Sequence, residues 1–275
     1  MSKTIDSLSS TVTLSNGVEM PWFGLGVFRS GPGAETETAV RAAQDLGYRA
    51  VDTAMIYNNE ADVGRALDPE TFLTTKVWNS DQGYDSTLRA FDKSMKLLGR
   101  EKLDLYLVHW PKPEHMRDTW RAMERLYEEK LCRAVGVSNF LVHHLEALSV
   151  HANVPPTVNQ IELHPYLQER EVREYCRSQG IVVEAWSPIA KGQVVDDPVL
   201  REIGDAHGKS AVQVTLRWEL QHGIVVIPKS ANPERIASNA DVFDFELSPE
   251  EMARIDTLDQ AGERRLGPHP DHVDF

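Results

Sequence analysis

Four chemically distinct side chains fall at or just past the ends of three consecutive apolar runs. Asp52 closes Val51-Asp52-Thr53 with Tyr57 shortly beyond it, Lys76 ends Thr74-Thr75-Lys76, and His109 sits in Val108-His109-Trp110-Pro111. A lysine inside an apolar strand must be paired, because an uncompensated buried charge costs several kcal/mol, and Asp52 on the neighbouring run is its natural partner. A free phenol titrates at about 10 and is a sluggish acid at neutral pH. An ammonium beside it favours the phenolate and makes it a better proton donor. An imidazole on the same rim can hydrogen-bond a carbonyl and polarise it. The chain contains neither a G-x-S-x-G nucleophile elbow nor an H-E-x-x-H zinc helix. A phenol, an ammonium and an imidazole without metal-ligand spacing suit carbonyl reduction, provided that a hydride donor binds nearby.

For these groups to meet, successive strand ends must lie side by side, and the pattern of the chain supplies that. Asn16-Gly17, between Thr11–Leu14 and Val18–Met20, reads as a two-residue hairpin turn. Eight strand-like runs follow: Phe23–Phe28, Tyr48–Thr53, Phe72–Trp78, Leu103–Trp110, Arg133–Ser138, Thr157–Leu163, Val182–Trp186 and Ile224–Pro228. Amphipathic stretches separate them, including Glu35–Leu46, Thr87–Leu98, Arg117–Glu129, Val142–Ser149, Glu169–Ser178, Ala211–Gln221 and Pro233–Val242. Continuously apolar strands imply a parallel sheet covered by helices. Eight such units in 275 residues predict an α/β fold, a closed (β/α)8 TIM barrel forming one domain over residues 1–275. Gly47, Gly99, Gly180 and Gly223 each stand between a helical pattern and a strand, as helix-terminating glycines do. Ser248-Pro249-Glu250-Glu251 predicts a capped extra helix, and the polar tail from Gly262 is expected to lie irregularly over a barrel mouth. In such barrels the chemistry sits at the C-terminal ends of the strands, where the four side chains fall.

Composition bounds the partners. The formal net charge of −13 argues against nucleic acid, which wants clustered Lys and Arg. No apolar run approaches the about 18 residues of a membrane span, and Met1–Ser10 lacks the apolar stretch of a signal peptide. Cys132 and Cys176 have no metal-ligand spacing and read as structural thiols in a reducing compartment, the cytoplasm. His143 and His144 fall in a helical pattern and read as surface or packing residues.

Together, GYRAVDTAMIYNNE from Gly47, TTKVWN from Thr74, DLYLVHWP from Asp104, AVGVSNF from Ala134, VNQIELHP from Val158, EAWSP from Glu184 and VIPKSANPERIASN from Val226 form a specific set. Through them the chain resembles the aldo-keto reductases, and Trp186 with the short loops resembles the bacterial 2,5-diketo-D-gluconate reductase branch. The resemblance implies an NADPH-dependent monomer that reduces small α-oxo aldehydes, keto-sugars or aromatic aldehydes without a metal. It implies Tyr57 as proton donor, Lys76 and Asp52 as the groups that tune it, and His109 as the group that orients the carbonyl. For the cofactor it implies Ser138, Asn139 and Gln160 at the carboxamide, Trp186 stacked on the nicotinamide, and Gly26, Ser187 and Ile189 nearby. Lys229, Ser230 and Arg235 match a 2′-phosphate clamp, with Asn239 beside the adenine. Trp22, Trp78 and Trp110 are expected to wall the substrate pocket. Asn58 stands where many members carry Gly, Ser238 replaces an acidic residue, and the connection from Leu67 to Thr71 is short. Two other readings are a nucleotide sensor or partner subunit on this fold, and a metal-dependent barrel hydrolase built on His109, Glu162 and His164.

Overall fold

The computed structural model describes residues 5–273. Strands β3 (Leu25–Gly26), β4 (Ala50–Asp52), β5 (Phe72–Val77), β6 (Leu103–Val108), β7 (Cys132–Ser138), β8 (Val158–Glu162), β9 (Val182–Trp186) and β10 (Val225–Val226) form one sheet in sequence order. All their pairings are parallel. The sheet closes on itself through parallel bridges joining Phe23 to Val226 and Gly26 to Lys229. The Gly24 N–H donates to the Val226 carbonyl at 2.9 Å, and the Val226 N–H to Trp22 at 3.0 Å. At this seam a Cβ on Gly26 would lie 2.7 Å from the Ile227 carbonyl oxygen, so only glycine lets the first and last strands approach.

Every residue of β5 is buried, Lys76 included, as expected of a strand with helices outside and a filled barrel within. The barrel helices are α1 (Ala34–Asp45), α2 (Glu60–Ala66), α3 (Tyr84–Leu98), α4 (Met116–Glu128), α5 (Val142–Ser149), α6 (Arg170–Ser178), α7 (Pro198–His207), α8 (Ala211–Gln221) and α9 (Pro233–Ala240). The extra helix is α10 (Pro249–Asp256), its N-terminus closed by the reciprocal bonds of Ser248 and Glu251. Helix α2 has seven residues, too few for a periodic pattern to single it out.

The N-terminal mouth is plugged by the hairpin of β1 (Thr11–Thr13) and β2 (Glu19–Pro21). Its Leu14 and Met20 join Ala50, Phe72, Leu105, Leu107, Ala134, Val158 and Val225 in one apolar cluster inside the barrel. The turn differs from the two-residue expectation. Leu14 donates to the Val18 carbonyl and Gly17 to the Leu14 carbonyl, both at 2.8 Å, so the loop is Ser15-Asn16-Gly17, with Gly17 at φ 86°. That is the three-residue hairpin whose last residue must be left-handed.

Candidate active site

Register brings the first pair together. Asp52 lies opposite Thr74, and Lys76 is two residues further along β5 on the same face. The Lys76 ammonium donates to Asp52 Oδ1 at 2.7 Å, to Asp52 Oδ2 at 2.8 Å and to the Thr53 carbonyl at 2.8 Å. Burial is the largest influence and opposes its charge, but Asp52, through its charge and its hydrogen bond, together with Tyr57 and Glu184 holds its pKa above the ordinary lysine value. Beyond Asp52 the chain makes a 3₁₀ turn, Met55–Tyr57, ended by Asn58 in the left-handed region (φ 56°), which explains a position where Gly is the alternative. The Thr53 hydroxyl donates to Asn59 Oδ1 at 2.7 Å and Asn59 Nδ2 to the Val27 carbonyl at 3.0 Å, which fixes the loop carrying Tyr57.

The Tyr57 ring centroid is 5.2 Å from the Lys76 ammonium, 4.9 Å from the Phe28 ring and 5.8 Å from the His109 ring. Burial raises the phenol's pKa, while the charge of Lys76 and its hydrogen bond pull the other way. His109 is buried, and burial followed by the Lys76 charge drives its pKa well below the ordinary value, so the imidazole is neutral. Its Nδ1 is buried with no hydrogen-bond partner, and Asn139 Nδ2 donates to its backbone carbonyl at 2.9 Å. Trp78 packs edge-on to the imidazole at 5.1 Å, and Trp110 lies nearly parallel to it at 6.5 Å.

A second polar layer sits beneath. Gln160 Nε2 donates both to Asp52 Oδ2 at 2.8 Å and to Glu184 Oε2 at 2.7 Å. Burial and the negative charge of Asp52 push Glu184 up to about 8. The Ser138 hydroxyl donates to the Gln160 carbonyl at 2.9 Å, and Trp186 Nε1 to Asn139 Oδ1 at 2.8 Å. Ser138 pairs with Gln160, and Glu162 with Trp186, so these residues line up along the C-terminal ends of β7, β8 and β9. Asn139 (φ 64°) and Ser187 (φ 53°) both hold left-handed backbone where the chain leaves the barrel, the kind of strain that gathers at functional sites. Ile189 begins the turn after β9. Ser230 and Asn239 are buried, while Lys229 and Arg235 are exposed beside α9, which opens on an Asn232 cap and Pro233.

Trp22 is a correction. It precedes β3, and its ring edge lies 4.0 Å from where a Cβ on Gly223 would stand. That puts it at the N-terminal mouth, the end away from Tyr57. The aromatic of this strand that reaches the Tyr57 rim is Phe28, the last residue of the Phe23–Phe28 run that Trp22 precedes, which strand direction alone would have chosen. Glu184 escaped the sequence reading; the tail lies over a barrel mouth as expected, but the contacts that hold it there were not legible. The Leu266 and Gly267 N–H groups donate to Glu162 at 2.5 and 2.9 Å, and His164 Nε2 is 3.2 Å from the same carboxylate. A Cβ on Gly267 would lie 2.5 Å from Trp186 Cη2, so the tail crosses the C-terminal mouth against this indole. Glu162 and His164 therefore hold the tail. The metal-hydrolase grouping does not assemble: among the described residues, the only grouping with ligand atoms close enough for a metal is His143, His144 and Asp271. No helix among those residues is long and apolar enough to cross a membrane.

Residues 23–260 match the model of the Aldo/keto reductase family. Glyoxal reductase of Bacillus subtilis (strain 168) is 54% identical over 275 residues, covering 98% of this chain and 99% of that protein. A mutant of Gox0644 in complex with NADPH superposes with a TM-score of 0.93 at 45% identity, covering 97% of this chain and 99% of that one. A putative 2,5-diketo-D-gluconic acid reductase B superposes with a TM-score of 0.90 at 36% identity, covering 98% of each.

Proposed function

Because the chain belongs to the aldo/keto reductase family, we propose that it reduces small α-oxo aldehydes to alcohols with NADPH, with keto-sugars and aromatic aldehydes as further substrates. One observation carries the reading. A fully buried ammonium, fixed by Asp52, stands 5.2 Å from the centroid of the Tyr57 phenol, on a rim that also presents a neutral imidazole. Likeness to a glyoxal reductase and to a protein solved with NADPH supports the substrate class and the cofactor.

Ser138, Asn139 and Gln160 would hold the carboxamide, and Trp186 would offer a face to the nicotinamide. Exposed Lys229 and Arg235, beside buried Ser230 and the first turn of α9, suit a phosphate, which charge-assisted bonds favour. When bound, the reduced nicotinamide supplies the hydride that the carbonyl carbon accepts. Tyr57 supplies the proton that the carbonyl oxygen accepts; its raised pKa keeps that proton in place at neutral pH. The Lys76 charge stabilises the phenolate left behind, and Asp52 keeps Lys76 from drifting. His109, being neutral, can donate a hydrogen bond that orients the carbonyl without giving up charge. Phe28, Trp78 and Trp110 are the aromatic walls around it. The chain acts as one catalytic domain, a monomer of the cytoplasm, where the buried thiols of Cys132 and Cys176 stay reduced.

The test is loss of NADPH absorbance with methylglyoxal, phenylglyoxal, an aromatic aldehyde and 2,5-diketo-D-gluconate, repeated with NADH. Turnover that favours NADPH supports the proposal. Tight NADPH binding without reduction of any carbonyl would move the nucleotide-sensor reading ahead.

A further inference from the structure

Four of the ten histidines gather outside the Tyr57–Lys76–His109 group, where the tail meets the start of α5. His143 and His144 occupy the first turn of α5, and the 3₁₀ turn Pro270–His272 of the tail brings Asp271 over them. Asp271 Oδ1 is 2.9 Å from His143 Nε2 and 3.2 Å from His144 Nε2. His269 Nδ1 stands 3.8 Å from Asp271 Oδ2, and the His272 ring is 5.4 Å from that of His269. All three principal ligand atoms lie within 4.8 Å of one another. In a tetrahedral zinc site with metal–ligand bonds of about 2.0–2.1 Å, neighbouring ligand atoms are about 3.3 Å apart. Both nitrogen-to-oxygen separations are already close to that edge.

We propose that His143, His144 and Asp271 form a site for a divalent transition metal, zinc above all, with His269 or water completing the shell. Two imidazoles and a carboxylate are a borderline donor set suited to Zn²⁺, Ni²⁺ or Cu²⁺ rather than to Mg²⁺ or Ca²⁺. His144 is buried, so its ring is held in place with Nε2 facing Asp271. One bond must change. His144 Nδ1 accepts the Leu141 N–H at 3.2 Å, which leaves the ring proton on Nε2. A metal on Nε2 moves that proton to Nδ1, and the Leu141 contact opens. The cost is one long capping bond, set against two or three coordinate bonds. Asp271 lies four residues beyond Gly267, so the metal fastens to α5 the same segment that Glu162 tethers and that lies on Trp186.

The experiment uses full-length protein without a histidine tag, stripped with chelator and titrated with ZnCl₂ by calorimetry. Cobalt(II) absorbance serves as a second readout, and His143→Ala, Asp271→Asn and His151→Ala as variants. His143 and Asp271 are 59% and 36% exposed in their side chains, so neither change threatens the fold. The wild type is expected to bind one zinc with micromolar affinity, to melt higher in zinc by linkage, and to give the d–d bands of a low-coordinate cobalt site. His143→Ala and Asp271→Asn should weaken binding by at least ~10-fold, with His151→Ala, at an exposed histidine outside the cluster, unchanged. Zinc binding by the wild type no tighter than by His143→Ala and Asp271→Asn, or no saturable binding at all, overturns the site and leaves a hydrogen-bonded latch.

Discussion

The two mouths of the barrel are built from the same eight strands and differ in what those strands bury. At the N-terminal mouth the hairpin side chains Leu14 and Met20 meet the first residues of β4, β5, β8 and β10 in an entirely apolar plug. Toward the C-terminal mouth β4, β5, β8 and β9, with the residue after β6, bury Asp52, Lys76, Gln160, Glu184 and His109. Apolar contact stabilises without direction, whereas each buried polar group must be paired or leave a desolvation cost behind. Lys76, Asp52 and Gln160 are paired; His109 Nδ1 is not. One end of the barrel holds the fold together, and the other gives up stability for placed charges and protons. Trp22 and Phe28, six residues apart, belong to opposite ends, and direction along the strand separates them where residue type does not.

The sharpest way to break this division is Phe72→Ala in the plug. It should cost about 3–5 kcal/mol of unfolding free energy and leave turnover unchanged well below the melting temperature. Chemical denaturation and initial rates check both halves, and a parallel collapse of turnover would show that the two ends are not independent.

Next in size is a pH effect at the other end. Glu184 is raised from 4.5 to about 8 by burial and by Asp52, against the pull of Gln160 and Lys76, so its neutral form is the one that suits the fold. Its contribution is fully present below pH about 4.5 and is lost as pH rises through about 8, because the unfolded chain sheds the proton first. Glu184→Gln, neutral throughout, should flatten that decline by an amount on the order of a few kcal/mol. Melting temperatures between pH about 5 and 9 follow it, and equal slopes for the two proteins would remove Glu184 from this role.

The smallest effect compares the two aromatics directly. Phe28→Ala should reduce kcat/KM for a small aldehyde by about 10–200-fold, since its ring lies 4.9 Å from Tyr57. Trp22→Ala should cost stability alone. The opposite order of effects would put the correction of Trp22 in error.

Much of this was legible without coordinates because the barrel depends on alternation over long distances, which survives errors at any one element. Continuous apolar runs marked the strands, and unusual polar residues at their ends marked the rim, so Asp52, Lys76 and His109 were found by position as well as type. What escaped was set by contacts remote in sequence. Glu162 meets Leu266 across 104 residues and His143 meets Asp271 across 128; no local pattern encodes either. The hairpin loop was mistaken by one residue because Asn-Gly serves two loop lengths, and Ser15 decided between them only through the Leu14–Val18 bond. Glu184 sat in plain view within an apolar strand, but its partner Gln160 lies on the next one.

The central claim is that Tyr57 gives the proton. Single-turnover reduction of methylglyoxal by pre-bound NADPH, wild type against Tyr57→Phe, tests it most directly, with cofactor affinity measured on the same samples. The account predicts unchanged NADPH binding and a reduction rate lower by about 10²–10⁴-fold in the Phe variant. A Phe variant that binds NADPH and reduces methylglyoxal at the wild-type rate would contradict it.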